Sequence, residues 1–284
     1  MKQLRRLWLL LTVLSLGISL TACEGPVTRA NTTDTWGKIN QQKKVIIGLD
    51  DTFVPMGFRA KNGQLVGYDI DLARAVFKLY GIHVDFQAID WSMNAAELRN
   101  GTIDLIWNGY SITPQRRKKV AFPTPYLNND QVLVSMRHQR IRSFKDMTGK
   151  TLGVQTGSSG ANDLDTYPQR LKQYIKAGTP ILYDSFTDAL IDLKAKRIQG
   201  LLIDSSYANY YIQHEANPHA YRQIIGNFPK EQFGVGLRKG DRTLRQKINH
   251  GLKRLAHNGT LARINRKWFG QQVDSPLLKS LKAK

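Results

Sequence analysis

Charged side chains suited to binding a small zwitterion follow several apolar segments of this sequence. Asp50 comes directly after one apolar segment, Arg116 follows another, and Asp204 ends a third. A guanidinium pairs with a carboxylate in a planar, bidentate geometry, and a carboxylate neutralises an ammonium group. Together these groups indicate a site for a small dipolar ligand, provided that the fold brings them to one place.

An alternation of apolar strands with amphipathic helices predicts a fold that would bring these groups together. Strands are predicted at 45–49, 83–89, 103–107, 132–135, 152–155, 181–183, 201–204 and 233–237, with helices at 67–80, 94–100, from 160 into the 170s, 187–197, 205–213, 242–258 and 260–269. This pattern predicts an α/β fold with open sheets in two units, at about 38–125 and 131–228. In open α/β sheets a ligand binds outside the carboxyl ends of the strands.

The residues that follow the strands supply acidic, basic, hydroxyl, amide and aromatic groups. The candidate binding residues are Asp50, Phe53, Trp91, Asn108, Gly109, Ser111, Arg116, Gln155, Thr156, Ser158, Ser159 and Asp204. A carboxylate would meet a guanidinium and the free N–H groups at a helix start, and an ammonium would meet a carboxylate.

Each of these residues also has a purely structural interpretation. Arg116 begins a run of four basic residues that could simply be solvated, and Asp204 stands where an N-cap is common. Phe53 and Trp91 are compatible with an apolar core, and Asp50 with an exposed turn. Asp51 is expected to point away from the site.

The composition excludes several other classes of site. The chain has 284 residues and one cysteine, so an internal disulfide and zinc sites with two or more thiolates are excluded. The six histidines show no ligand spacing, and no metal or cofactor is predicted. The net charge is +20, but the basic residues are spread along the chain without a nucleic-acid-binding motif, so no nucleic-acid partner is expected.

The N-terminus predicts export and a lipid anchor. Basic residues precede an uncharged segment at 7–20, which is too short for a comfortable membrane span. The segment Leu20-Thr21-Ala22-Cys23 resembles the cleavage site of a bacterial lipoprotein signal. This resemblance implies a signal peptide at 1–22, lipidation of Cys23 and a location on the extracytoplasmic face of the cell membrane. The polar segment 23–37 is predicted to be a flexible tether.

Several ordered motifs resemble one protein family over residues 43–270. They are Gly67-Tyr68-Asp69-Ile70-Asp71-Leu72, Asp104-Leu105-Ile106, Ser111-Ile112-Thr113 with Arg116, Gly149-Lys150-Thr151-Leu152-Gly153-Val154 and Lys267-Trp268-Phe269-Gly270. The chain resembles the polar-amino-acid family (family 3) of extracellular solute-binding proteins that feed ABC importers. It is similar in particular to the glutamine-binding and basic-amino-acid-binding members.

The resemblance implies a two-lobed, type II periplasmic-binding-protein-like fold with two open mixed sheets flanked by helices. Lobe 1 would comprise 38–125 and 234–270, lobe 2 would comprise 131–228, and hinge strands would lie at 126–130 and 229–233. A basic tail would follow at 271–284. Hinge closure around a ligand is the behaviour expected of this fold.

The resemblance also assigns roles to matching positions. Arg116 would clamp the α-carboxylate and Asp204 would take the α-ammonium group. Ser111 and Gly109 would add a hydroxyl and backbone contacts, the segment 155–159 would add N–H groups from lobe 2, and Phe53 and Trp91 would sandwich the ligand stem. Asp50 would recognise the end of the ligand's side chain, with Asn108 and Gln155 nearby. Some relatives carry a polar residue directly before the acid that corresponds to Asp204, whereas this sequence has Ile203.

The function implied is non-catalytic capture of a polar L-amino acid by a monomer that delivers it to an ABC permease and its ATPase. Glutamine, arginine and lysine are the leading ligands, and cystine remains open. Two other classes stay open at this point. One is an enzyme of the same fold, such as a lyase or a peptidoglycan-acting protein, and the other is an adhesin or sensor.

Overall fold

The computed structural model describes residues 26–270 and 275–282. The predicted signal peptide, Cys23 and the first residues of the predicted tether lie outside these ranges. The helices are α1 (Pro26–Thr32), α2 (Trp36–Gln42), α3 (Tyr68–Lys78), α4 (Asn94–Asn100), α5 (Pro114–Lys119), α6 (Ser159–Thr166), α7 (Phe186–Lys194), α8 (Ser205–Gln213), α9 (Arg242–His257), α10 (Thr260–Phe269) and α11 (Pro276–Lys282).

The strands alternate with these helices along the chain. They are β1 (Lys44–Leu49), β2 (Thr52–Phe53), β3 (Gly57–Arg59), β4 (Leu65–Val66), β5 (His83–Ala88), β6 (Leu105–Ile106), β7 (Leu127–Asn129), β8 (Gln131–Met136), β9 (Leu152–Gln155), β10 (Ile181–Tyr183), β11 (Gly200–Asp204), β12 (Tyr221–Ile225) and β13 (Glu231–Phe233).

One lobe is built around a parallel sheet with the order β5–β1–β6. Alternate side chains of the central strand β1 are fully buried, as its apolar sequence requires. The chain returns to this lobe after the hinge, since Ile106 and Ala121 form antiparallel bridges with Gly236 and Leu237. Helix α9 then packs on α3, where a Cβ added to Gly251 would lie 2.9 Å from Val76. Two separate segments of sequence therefore build this lobe.

The other lobe contains a five-stranded sheet with the order β10–β9–β11–β8–β12. Strands β9, β10 and β11 run parallel, whereas β8 and β12 are antiparallel to their neighbours. Helices α6, α7 and α8 contact this sheet. The prediction of an α/β fold with open mixed sheets is confirmed.

Two short strands connect the lobes. β7 pairs with β13 in antiparallel register, with Asn129 opposite Glu231 and Leu127 opposite Phe233. They fall within 126–130 and 229–233, the ranges expected for the hinge. The segment predicted only as a basic tail also reaches this region, because the Ser275 hydroxyl donates to a hinge carbonyl at 126 (2.8 Å) and Leu277 is fully buried.

The structure differs from the predictions at several elements, and α5 and β12 were not predicted. Helix α6 ends at Thr166, not in the 170s, because Pro168 disfavours helical geometry in the preceding residue, and Tyr167 has φ −126° and ψ 58°. The strand predicted at 233–237 is regular only up to Phe233 and then forms isolated bridges. The small antiparallel sheet β2–β3–β4 was not predicted, since strands of two or three residues carry no measurable periodicity.

The segment after residue 25 also differs from the flexible tether predicted at 23–37. It forms α1 and the start of α2, and its connecting residues are bonded to the start of α9. The backbone N–H and hydroxyl of Thr35 donate to Asp241 Oδ1 at 2.8 and 2.6 Å, and the Thr243 N–H donates to Asp34 Oδ2 at 2.6 Å. The polar composition that suggests flexibility here supplies the donors that a buried carboxylate needs. Over the residues that the structure describes, no helix combines the length and apolarity needed to span a bilayer.

Arg238 holds this junction together. Its side chain is 6% exposed and forms ion pairs with Asp241 (2.9 Å) and Asp104 (3.1 Å). The same guanidinium donates to the backbone carbonyls of Leu98 (3.1 Å) and Ile103 (2.8 Å). One buried cation thus joins α4, the chain before β6 and the start of α9.

Replacing Arg238 should therefore destabilise the fold strongly. We expect Arg238→Met to lower the free energy of unfolding by roughly 3–5 kcal/mol, because it leaves buried carboxylates without their partner. Urea unfolding would measure this loss. The matched control is Arg197→Met, since the Arg197–Asp192 pair is exposed on the arginine side (68%) and should cost under about 1 kcal/mol. Equal losses for the two variants would contradict the assigned role.

Candidate functional site

The carboxyl ends of the two sheets face each other, and polar side chains from both lobes meet there. The side-chain amide of Gln155, the last residue of β9, donates to Asp50 Oδ2, just after β1, at 2.8 Å. The hydroxyls of Ser159 and Ser111 are 3.1 Å apart. These contacts join residues on opposite lobes, so the two lobes are closed on each other. Side chains separated by 105 and 48 positions in sequence thereby meet in one cleft.

Arg116 bridges this cleft. Its Nη1 donates to the Ser111 carbonyl at 2.9 Å and its Nη2 donates to the Gly157 carbonyl of the other lobe at 3.1 Å. The guanidinium carbon lies 4.1 Å from the centroid of the Tyr110 ring. Arg116 is half-buried, whereas the next three basic residues are exposed. The arginine is therefore held in a fixed plane at the cleft, and only the rest of the run forms a solvated face.

The start of α5 explains how Arg116 is positioned. Thr113 is the N-cap, and its hydroxyl accepts the Arg116 N–H at 3.1 Å. Pro114 occupies the first helical turn, where its missing N–H costs nothing. The first turn of α5 therefore carries Arg116 to the gap between the lobes, where its guanidinium reaches the Gly157 carbonyl.

Asp204 is 4% exposed at the end of β11. Its Oδ1 accepts from the amides of Asn129 (2.6 Å) and Gln131 (2.9 Å), and its side chain makes no N-cap bond to α8. Burial raises the pKa of Asp204 to about 7, and the neighbouring Glu231 charge raises it too, while Arg116 lowers it. Asp204 is thus a buried acid bonded by uncharged donors, not a helix cap.

Asp50 is also buried rather than an exposed turn acid, at 8% exposure. Its Oδ1 accepts from the backbone N–H (2.9 Å) and hydroxyl (2.6 Å) of Thr52, and its Oδ2 faces Gln155. Asp51 points elsewhere, as expected, and pairs with Arg59 at 2.6 Å. The side-chain amide of Asn108 is fully buried and accepts the Asp50 N–H at 3.1 Å. Asn108 therefore positions Asp50 through its amide oxygen, while its amide nitrogen is buried without a hydrogen-bond partner.

The two aromatic residues predicted to sandwich a ligand belong to different clusters. Phe53 contacts Phe186 and Tyr207 of the other lobe, with ring centroids 5.8 and 5.3 Å apart. Trp91 meets Tyr110 edge-on at 5.7 Å. Both rings are more than nine-tenths buried. Phe53 therefore packs between the lobes. Trp91 packs against Tyr110, whose ring lies under the Arg116 guanidinium.

The segment 155–159 supplies the other lobe's side of the cleft. Thr156 is tied to β10 by its N–H, which donates to the Tyr183 carbonyl at 2.9 Å. The Ser158 hydroxyl caps α6 by accepting the Ala161 N–H at 3.1 Å. Gly157 has φ +71°, and an added Cβ would lie 2.8 Å from the Ser92 backbone. A side chain at 157 would thus keep the lobes apart.

Gly109 is fixed by Asp69, a buried acid in the first turn of α3. The Gly109 N–H donates to Asp69 Oδ2 at 2.6 Å, and the Tyr126 hydroxyl donates to the same oxygen at 2.9 Å. Burial raises the pKa of Asp69 to about 7. Gly109 has φ +55°, and an added Cβ would lie 2.9 Å from the Phe53 ring. The burial of Asp69 could have been predicted from the sequence, because Asp69 lies on the same helical face as the buried Leu72 and Ala73.

Three further residues were missed altogether. Asn129, Gln131 and Glu231 come from the hinge strands and the start of β8, and each is at most 5% exposed. Glu231 Oε2 accepts from Ser111 Oγ at 2.7 Å and from Ser159 Oγ at 3.1 Å, which joins it to both lobes. Nothing local in the sequence marks these positions, since their partners are distant along the chain.

A cavity of about 320 Å³ opens between the lobes beside Arg116. Ser158 and Ser159 also line it, together with residues of α4 and α5. Asp50 and Asp204 are not among the residues that line it, and side-chain amides already bond their carboxylates. A larger cavity of about 640 Å³ lies elsewhere, against β7, α8 and the end of α10. It is lined by none of the predicted site residues, so the smaller cavity is the one that belongs to the cleft.

Residues 45–271 match the family model described as bacterial extracellular solute-binding proteins, family 3. The arginine-binding protein 1 of an ABC transporter in Escherichia coli K12 is 30% identical over 234 residues, which is 81% of this chain and 92% of that protein. The L-cystine-binding protein TcyJ of the same strain is 28% identical over 83% of this chain and 86% of that protein.

Solved structures agree with these relatives. An ABC uptake transporter substrate-binding protein from Streptococcus pneumoniae, solved with bound histidine, is 50% identical with a TM-score of 0.84. The match covers 84% of this chain and 98% of that one. The family and these relatives are binding proteins, which confirms the prediction that the chain is not an enzyme. With the family model matched over most of its length, this chain belongs to the bacterial extracellular solute-binding proteins of family 3.

Proposed function

We propose that this protein captures a polar L-amino acid between its lobes and delivers it to the permease of an ABC importer. The observation that carries the proposal is the placement of one half-buried guanidinium, Arg116 in the first turn of α5, and one buried carboxylate, Asp204 at the end of β11, on the two closed lobes. The relatives support it, because their names report arginine and cystine as ligands and one solved structure holds histidine.

The cleft offers complementary groups to both charged ends of a free amino acid. Arg116 uses two of its five N–H donors on backbone carbonyls, so donors remain for the α-carboxylate. An α-ammonium group brings three donors and fits the acidic end at Asp204. The two ends together are complementary only to a zwitterion, which distinguishes an amino acid from a sugar or a simple anion.

Asp50 favours a ligand with a cationic side chain. It is a buried carboxylate whose partners are Thr52 and the Gln155 amide, and no cationic side chain pairs with it in the described residues. A cation would compensate its charge better than a neutral group. Arginine, lysine and histidine are therefore the leading ligands, with glutamine and cystine as the next candidates.

Lobe closure supplies the affinity and the signal to the permease. The interlobe hydrogen bonds of Arg116, Gln155 and Ser159 all require the closed arrangement. The β7–β13 pair connects the two lobes that these bonds hold together. A ligand that bonds both lobes at once stabilises this arrangement and shifts the population toward it. The closed monomer then presents a surface that the open protein lacks.

The protein is further proposed to be held at the extracytoplasmic face of the cell membrane by lipid on Cys23. The support is the sequence: a basic start, an uncharged segment at 7–20 and a single cysteine after small residues. Two acyl chains give stable anchoring without a spanning helix. The Gly240 N–H, just before α9, donates to the Ala30 carbonyl in α1. The anchor would therefore be attached near the lobe built around the β5–β1–β6 sheet.

Replacing Asp50 should change which amino acids bind. We expect Asp50→Asn to weaken the binding of L-arginine and L-lysine about tenfold or more, since a cation loses its buried partner, and to affect L-glutamine much less. A thermal-shift screen of the amino acids on both proteins would measure it, because ligand at about 100 times Kd adds about 2.7 kcal/mol.

Asp51→Asn is the matched control for this screen, since Asp51 pairs with Arg59 on the surface. It should leave the ligand preference unchanged. An identical preference in Asp50→Asn and the unmodified protein would show that Asp50 does not read the side chain.

Removing the guanidinium at 116 should weaken binding of every amino acid ligand. We expect Arg116→Ala to cost roughly 2–5 kcal/mol of binding free energy, because a desolvated carboxylate loses its charged partner. Calorimetry would measure it. Arg117→Ala is the control, since the exposed Arg117 side chain lies over Phe122 (5.7 Å), outside the cleft contacts. Unchanged affinity in Arg116→Ala would refute the carboxylate assignment.

The anchor is tested by Cys23→Ala in the full chain. Without the thiol no acyl chains attach, so the protein should move from the membrane fraction to the soluble extracytoplasmic fraction, as followed by immunoblotting. A variant such as Ser205→Ala, which leaves the N-terminus intact, should remain with the membranes. Continued membrane association of Cys23→Ala would rule out the lipid anchor.

A further inference from the structure

We propose that Glu231 of hinge strand β13 joins Asp204 in a two-carboxylate subsite that receives the α-ammonium group of the ligand. This inference rests on the proposed amino-acid-binding function and deepens it. It adds a recognition residue that lies in neither lobe's sheet and that the sequence did not single out.

The two carboxylates share the same donors. The Asn129 amide nitrogen lies 2.6 Å from Asp204 Oδ1 and 3.1 Å from Glu231 Oε2. The Gln131 amide nitrogen lies 2.9 Å from the first oxygen and 3.1 Å from the second. The two acids are therefore no further apart than two hydrogen-bond lengths, and a single ammonium group placed between them can contact both.

The hydrogen-bond donors to this pair are all uncharged, and none of them reaches Glu231 Oε1. No lysine, arginine or histidine side chain within the described ranges forms an ion pair with either acid. Glu231 is 5% exposed, and its Oε1 is buried without a hydrogen-bond partner. A desolvated carboxylate oxygen left unbonded is costly. An ammonium group would supply both the missing donor and the missing charge.

Glu231 also links this subsite to closure. Its Oε2 accepts from Ser111 of one lobe and Ser159 of the other, and these two hydroxyls are in contact with each other. The acid thus stands where both lobes and a hinge strand meet. A cation that binds here stabilises the junction itself, so recognition of the ammonium group and closure of the lobes involve the same atoms.

Other charged groups surround the pair and must be considered in any pH test. Asp163 on α6 and Arg116 on α5 both act electrostatically on this region, and Lys118 and Lys230 line the adjacent cavity with Glu231. Burial raises the pKa of Asp163 to about 7, with the Glu231 charge as the next cause. Asp163 is therefore the group whose titration could imitate that of the pair.

The subsite predicts how binding depends on pH. Burial and the Glu231 charge raise the pKa of Asp204 to about 7. Below this value Asp204 holds a proton and the ammonium group meets less negative charge. Above it both carboxylates attract the ligand. The free amino acid keeps its α-ammonium proton across this range, so affinity should rise as pH rises from about 6 to 8, by up to about tenfold for one group with this pKa.

The experiment is calorimetric titration at pH 6, 7 and 8 with whichever of L-arginine, L-lysine or L-glutamine binds most tightly, since none of these side chains titrates in this range. Glu231→Gln preserves the size and acceptor oxygen but removes the charge. We expect it to bind about tenfold or more weakly at pH 8 and to move the rise to lower pH, because the Glu231 charge no longer raises the pKa of Asp204 while burial still does. Asp163→Asn is the matched control and should keep the rise.

Each outcome supports or overturns a specific claim. If no amino acid binds the unmodified protein, the proposed function fails. If ligand binds but Glu231→Gln shows the same affinity at pH 8 and the same pH profile, the two-carboxylate subsite is wrong. A purely structural hinge role would lower affinity equally at every pH, which also overturns the proposal. Should Glu231→Gln fail to fold, a flat pH profile in the unmodified protein, or a rise that Asp163→Asn abolishes, would likewise overturn it.

Discussion

The cleft depends on carboxylates that are buried at the ends of the strands and bonded only by uncharged groups. Asp50, Asp204 and Glu231 are each less than a tenth exposed, and their partners are amides, hydroxyls and backbone N–H groups. Burying a charge is expensive without such donors, yet the donors do not cancel it. The lobes can therefore close on these acids while the acids still attract a cation.

This local chemistry is opposite in sign to the protein as a whole. The chain carries a net charge of +20, and composition alone would suggest an anionic partner. The interior of the cleft gathers acids instead, and its principal cation, Arg116, is turned toward backbone carbonyls and an aromatic face. Whole-chain charge governs long-range attraction and solubility, whereas the few desolvated groups in the cleft govern what binds there.

The hinge is part of the site rather than a passive connection. Asn129 and Glu231 face each other across the β7–β13 pair, and both side chains turn into the acidic network. Tyr126, just before β7, donates to the same Asp69 oxygen that fixes Gly109. A change in the hinge would thus move recognition groups and backbone turns together. This coupling gives a physical reason to expect closure to accompany the proposed binding.

Much of the fold follows from local sequence. The alternation of apolar strands and amphipathic helices predicted most elements within a few residues, because side-chain periodicity is a property of adjacent residues. The same reasoning identified Arg116 and Asp204 as strand-end groups. It misjudged α6, where one proline ended the helix early, and the segment after residue 25, where polar residues that look flexible are bonded to Asp241.

The sequence by itself therefore determined the architecture and the types of side chain at the ends of the strands. Only the tertiary structure decided which of them meet. Glu231 lies about a hundred positions from its partners Asn129 and Gln131, Asn108 turns under Asp50, and Phe53 and Trp91 separate into two clusters. Such pairings depend on the relative placement of two lobes, and that placement leaves no periodic trace along the chain.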